Sequence, residues 1–171
     1  MNLIFLDIDG VLNSMAYFEW LKSPQCTQKK NPVYNEISDF HLQMLAKICH
    51  ACDVKIVLSS TWRELDDPSE KDACSMYQYL ADRLAEYDMK IYSKTPCIQN
   101  NRPLEIATWL GKQERLEAIR FVILDDDFSK EDYDVYGIGN QLVQTQFFCE
   151  HMHEGGLQQK HVNQAIAILN R

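Results

Sequence analysis

Three places in this 171-residue chain set oxygen-bearing side chains directly behind an apolar run. Asp7-Ile8-Asp9-Gly10 follows Leu3-Ile4-Phe5-Leu6. Ser59-Ser60-Thr61 follows Val54-Lys55-Ile56-Val57-Leu58. Asp125-Asp126-Asp127 follows Phe121-Val122-Ile123-Leu124. Asp7 and Asp9 are two residues apart, so in extended chain both carboxylates point the same way. If the acids of the first and third clusters meet, their mutual repulsion raises their pKa values unless a positive charge sits among them. Magnesium suits such a place, since it prefers oxygen ligands and is held by one or two carboxylates, waters and substrate phosphate. A carboxylate beside such an ion can attack phosphorus and become an aspartyl-phosphate. A second carboxylate can protonate the leaving oxygen and then activate water. Gly10 permits a tight turn and close approach of the backbone to a ligand.

The chemistry requires elements that bring these clusters together. Short apolar runs without alternation read as strands covered on both faces. Residues 2–7, 54–59 and 121–125 are the strong ones, with weaker strands expected at 89–92 and 142–145. Ser38 reads as a helix N-cap, followed by Leu42, Leu45, Ala46 and Cys49 on one helical face. Tyr77, Leu80, Ala81 and Leu84 repeat that spacing, as do Val162, Ala165, Ile166 and Leu169. Pro103 stands where a proline at the first helical position belongs, and Gly111 where a helix C-terminal cap does. The segment from about 13 to 37, with Pro24 and Pro32, is expected to be an irregular flap or hairpin. Strands alternating with helices predict one α/β domain over 1–171, with a mostly parallel sheet and helices on both faces. In such sheets ligands bind beyond the carboxyl ends of the strands, where all three clusters would gather.

Composition narrows the partners. The formal net charge is −8 and the longest basic run is Lys29-Lys30, so strong non-specific nucleic-acid binding is not expected. The six cysteines show no disulfide framework, no basic start precedes the first apolar run, and no segment approaches a membrane span. The expectation is a cytoplasmic protein with reduced thiols that meets a phosphorylated substrate.

Asp7-Ile8-Asp9-Gly10-Val11-Leu12 resembles the first motif of the haloacid dehalogenase (HAD) superfamily. Ser59 resembles its second, a phosphoryl-binding hydroxyl, and Asp125-Asp126 its fourth, the acidic metal site. The third motif is a basic residue near a helix start. Arg102 is the best match, although the family mostly uses lysine, and Lys94 is the second candidate. Arginine can clamp a phosphoryl group bidentately. The resemblance implies a Rossmann-like core and a phosphatase in which Asp7 is the nucleophile and Asp9 the acid/base. It implies Ser59, Ser60 and Arg102 on the phosphoryl oxygens. Asp7, Asp9 (through its carbonyl), Asp125 and Asp126 would surround the magnesium ion.

The family often inserts a cap domain. Here about 25 irregular residues follow Asn13, short of the ~50 a domain needs. An open site with little or no cap is therefore expected. Ser59-Ser60-Thr61-Trp62-Arg63, the stretch from Arg102 to Leu110, Val122 to Asp127 and Gly156-Leu157 further resemble the small HAD domains of Swiss Army Knife RNA-repair proteins. That likeness implies nucleic-acid ends or nucleotides as substrates. A phosphoprotein phosphatase and a non-catalytic module of the same fold are the alternatives. A signalling receiver is disfavoured, because its accepting aspartate would stand where Ser59 does.

Other residues have plainer readings. Trp62 and Arg63 are candidate substrate contacts, with packing as the rival for Trp62. Asp127 is either a solvated acid or one that orients a metal-bound water. Cys49 and Cys52 read as helix-face packing rather than a zinc site, because four ligands are lacking. Cys149, His151 and His153 read as a surface loop.

Overall fold

Among the described residues five segments form strands, and the three central ones are apolar runs that bury both faces over their carboxyl halves. The five are β1 (Asn2–Leu6), β2 (Val54–Leu58), β3 (Ile91–Lys94), β4 (Arg120–Asp125) and β5 (Leu142–Gln144). All pair in parallel, in the order β3-β2-β1-β4-β5. The computed structural model describes residues 1–28 and 31–171; the basic pair Lys29-Lys30 lies outside the described residues.

Among the described residues six α-helices complete the layers: α1 (Met15–Lys22), α2 (Asp39–Cys52), α3 (Lys71–Ala85), α4 (Arg102–Gly111), α5 (Lys130–Asp134) and α6 (Gln159–Leu169). Strand alternation sorts the core into two clusters. Ile4, Leu6, Ile56, Leu58, Val122 and Leu124 face α2, α3 and α6. Leu3, Phe5, Val57 and Ile123 face α4 and α5, with Phe5 edge-on to Trp109 at 5.4 Å. This sorting follows from handedness. The chain steps from β1 to β2 to β3 in one direction, then returns to β4 on the far side of β1. Right-handed crossovers in opposite directions put their helices on opposite faces. The direction reverses between β1 and β4, so the crevice at a topological switch point opens there.

Register carries the polar residues to that crevice. Leu6 pairs with Leu58 and with Leu124. The next residues, Asp7, Ser59 and Asp125, therefore stand side by side. Ser59 N donates to Leu6 O (2.8 Å), Asp7 N to Leu124 O (3.1 Å) and Thr95 N to Leu58 O (3.0 Å).

The expected flap differs in one respect: residues 15–22 form α1. The Ser14 hydroxyl accepts from Tyr17 N as its N-cap, and Ala16, Tyr17 and Leu21 are buried. These apolar positions are too few and too unevenly spaced to show a stripe. Tyr17 is fully buried and donates its hydroxyl to Asn35 O and Ile37 O, at 2.8 and 3.1 Å, which pins the returning chain. Ser38 caps α2 as expected. Pro103 sits one position later than expected, because Asn101 is the cap and Arg102 the first helical residue; Gly111 is itself helical, and Lys112 follows as the C-cap in right-handed geometry.

Cys49 and Cys52 lie in the core as helix-face packing, and burial pushes the Cys49 thiol up to about 12. His151 and His153 stack with centroids 5.5 Å apart in the turns between β5 and α6. No helix among the described residues is long and apolar enough to cross a membrane.

Candidate active site

The site grows from the ends of β1, β2 and β4 and the start of α4. Asp7 is 3% exposed. Its Oδ1 accepts from Ile8 N at 2.8 Å, its Oδ2 lies 2.9 Å from Arg102 Nη1, and the nearby Ser60 side chain also favours its anion. Burial is the largest influence on this carboxyl and, with the Asp125 charge, pushes it up to about 7 in spite of Arg102. Asp126 is half-buried and pushed up to about 6 by burial and by the charges of Asp125 and Asp127. Asp7, Asp125 and Asp126 each offer an oxygen within 4.8 Å of the others, the one such group of potential metal ligands among the described residues. Three crowded hard-oxygen ligands, two of them disfavoured as anions in spite of Arg102, fit a divalent ion such as magnesium.

Arg102 is the bridge. Its Nη1 contacts both Asp7 and Asp125, and its Nε donates to Ser59 O at 2.8 Å. Burial opposes its charge, but Asp7 and Asp125 outweigh that and its pKa is raised. The Phe128 ring lies under the guanidinium at 5.4 Å. Lys94, the rival basic residue, is held elsewhere: its ammonium lies 2.6 Å from Asp66 and over the Tyr77 ring.

Asp125 is fully buried and held by three donors: Arg102 Nη1, Asp127 N (3.0 Å) and the Tyr133 hydroxyl. Tyr133, on α5, is a residue that sequence reasoning missed. Nothing in Glu131-Asp132-Tyr133 marks it, because its role depends on α5 lying against the end of β4. Gly10 adopts φ +74°, and a Cβ there would overlap the Asp126 carboxylate. The turn after Asp9 thus needs glycine for both conformation and room.

Several expected residues take unexpected positions. The Asp9 side chain is exposed and lies outside the acidic cluster, so only its backbone carbonyl is left for a metal. Asn13 Nδ2 donates to its Oδ1 at 2.8 Å and Trp62 Nε1 to its Oδ2 at 3.0 Å. The Ser59 hydroxyl is turned to Thr95 Oγ1 at 3.5 Å, leaving Ser60 as the hydroxyl beside Asp7.

Trp62 and Arg63 do not present free faces to a substrate. Trp62 is 5% exposed and packs in the core with its indole edge on Asp9. Arg63 is buried, with Nη1 donating to Ser60 O (2.8 Å), Nε to Cys97 Sγ (3.2 Å), and Nη2 3.0 Å from Glu105. A guanidinium desolvated in this way needs its carboxylate more than a substrate phosphate. Glu105 also accepts from Ile98 N at 2.7 Å. Glu105→Gln keeps that acceptor but strands the arginine charge, and is expected to cost about 3 kcal/mol in urea unfolding. A loss under about 0.5 kcal/mol, the scale of an exposed pair, would show that the pair contributes little.

A family model described as the HAD domain in Swiss Army Knife RNA repair proteins matches residues 3–162. The chain belongs to this family. No curated protein and no solved structure gives a match. The match runs from β1 into α6, so this HAD domain includes every side chain of the site just described. Family membership supports a hydrolase of the HAD type and agrees with the five-stranded parallel sheet and its acidic cluster.

Proposed function

We propose that this HAD domain hydrolyses phosphomonoesters with a bound magnesium ion, through a phosphoryl group carried transiently on Asp7. The observation that carries the reading is the meeting of Asp7, Asp125 and Asp126 around one point, with Arg102 bridging the first two. The Asp7 carboxylate lies at the switch-point crevice, where it can form a bond to phosphorus as the ester P–O bond breaks. Asp9 delivers a proton to the departing oxygen. It then takes a proton from the water that attacks phosphorus, which releases inorganic phosphate and restores Asp7. Arg102 and Ser60 stand beside Asp7, where they would hold the phosphoryl oxygens and balance their charge. Asp125 keeps Arg102 in place. The cation, held by Asp7, Asp126 and the remaining lone pairs of Asp125, supplies charge neutralisation when bound.

The substrate class proposed is a phosphorylated nucleic-acid end or nucleotide. The family description names RNA repair proteins, and an open crevice without a cap admits a polymer. The test is a panel comprising a 3′-phosphorylated oligonucleotide, nucleotides and phosphotyrosine, each assayed with magnesium and with EDTA. Magnesium-dependent phosphate release, greatest on the oligonucleotide, is the expected result. Release that persists in EDTA would remove the metal from the reading. A preference for phosphotyrosine would move the substrate to phosphoproteins, and no release from any ester would favour a non-catalytic module.

A further inference from the structure

Asp9 is exposed, yet neither of its carboxylate oxygens is without a protein donor. Asn13, fully buried, meets Oδ1, and Trp62 meets Oδ2 through its indole N–H. The orientation of the Asn13 amide is fixed independently: its Oδ1 accepts from Gly10 N at 2.9 Å, so its Nδ2 must face Asp9 and also reaches Glu36 O at 3.1 Å. The indole has one donor, rigidly placed by a ring buried in the core. The acid/base of the proposed reaction is thus gripped between the turn after β1 and the turn after β2.

The second of these turns is itself anchored. Trp62 lies on the 3₁₀ segment Thr61–Leu65, capped by the Ser60 hydroxyl. Arg63, the next residue, ties Ser60 O to Glu105 of α4. Ser60 stands near enough to Asp7 to favour its anion and also caps the turn that carries Trp62. The spacing between nucleophile and acid/base is therefore set by a short, buried chain of contacts rather than by solvent-exposed loops. Such placement matters because proton transfer to a leaving group depends on reach, and a displacement of about 1 Å can cost on the order of 100-fold.

We propose that Trp62 and Asn13 are positioning residues that clamp the Asp9 carboxylate beside the leaving-group oxygen. This rests on the assignment of Asp9 as acid/base in the proposed phosphatase reaction. A misplaced acid slows phosphoryl transfer to Asp7 only for those esters whose leaving group needs a proton; the later hydrolysis of the aspartyl-phosphate is common to all esters, so kcat/KM, which stops at the first irreversible step, is the quantity to compare. The clamp therefore predicts a substrate-dependent effect that loss of structure would not produce.

The experiment compares Trp62→Phe with the wild type, with magnesium, on glycerol 2-phosphate and on p-nitrophenyl phosphate. The alkoxide of the first requires protonation, whereas the nitrophenolate of the second departs without it. Trp62→Phe is expected to lower kcat/KM on glycerol 2-phosphate by about 10-fold or more, and on p-nitrophenyl phosphate by less than about 3-fold. An equal loss of kcat/KM on both esters, or no loss on either, overturns the proposal. A second measurement needs no turnover. In ¹H–¹⁵N spectra the indole resonance missing from Trp62→Phe should move in Asp9→Ala, while the resonances of Trp20 and Trp109 stay. An unmoved Trp62 resonance overturns the clamp. A wild type inactive on both esters would count against the phosphatase reading instead, and the indole readout would then decide the clamp alone.

Discussion

Asp7→Asn is expected to lower turnover of every phosphomonoester substrate by on the order of 10⁴-fold or more, with the fold intact. The amide is nearly the same shape as the carboxylate, so packing at the end of β1 is undisturbed. Its oxygen can still accept from Ile8 N, which now donates to Asp7 Oδ1 at 2.8 Å. What it lacks is the anionic oxygen that would bond to phosphorus. Arg102 loses one carboxylate but keeps Asp125 and Ser59 O. Removing a buried acid from a crowded group also relieves repulsion, so the metal-free variant should melt no lower than wild type at pH 8. Phosphate-release assays and thermal melts followed by circular dichroism check both halves. Robust turnover by Asp7→Asn would deny Asp7 the role of nucleophile.

The second large effect is a magnesium-linked pH dependence of stability. Asp7 is pushed up to about 7 and Asp126 to about 6, chiefly by burial. Folded values above the unfolded carboxylate value mean stability that is present at acid pH and lost as pH rises towards 6 and 7. At 1.36 kcal/mol per pH unit, Asp7 accounts for about 4 kcal/mol; Asp126, partly exposed and screened, accounts for less. His41 and His161 act in the opposite sense. Both are lowered to about 4, chiefly by burial. Their contribution is complete above about 6.5 and is lost as pH falls towards 4, with His41 accounting for about 3 kcal/mol.

In the metal-free protein these sets oppose each other between pH 7 and 5, and stability should change little across that interval. A bound divalent cation holds the acids ionised, leaving the histidine loss uncompensated. Magnesium should therefore raise the melting temperature several degrees more at pH 8 than at pH 5.5, since 1 kcal/mol corresponds to about 2–4 °C at this chain length. Calorimetry at both pH values with and without magnesium decides the matter. An equal gain at both, or none, would mean that the three acids do not share an ion.

Much of the fold was legible because strand signals are local. The runs behind Asp7, Ser59 and Asp125 are apolar on both faces, and in the structure each is a central strand ending within a residue of its predicted limit. Helix faces at Leu42, Leu45 and Cys49 and at Val162, Ala165 and Leu169 were equally plain, since a 3.6-residue period needs no tertiary information. Helix α1 escaped notice because it buries its few apolar residues against a returning loop rather than along a stripe. The match to the HAD domain family spans the same elements.

The amino-acid sequence by itself determined which residue types end the strands, and hence that acids and hydroxyls would gather at one sheet edge. Only the tertiary structure decided their partners. It turned Ser59 to Thr95 and brought Ser60 to Asp7. It set Tyr133 and Arg102 on Asp125, paired Arg63 with Glu105, and laid the Trp62 indole against Asp9. The reason is physical: strand identity follows from neighbours within a few residues, whereas these side chains' partners stand from 8 to 53 positions away and meet only when the layers pack.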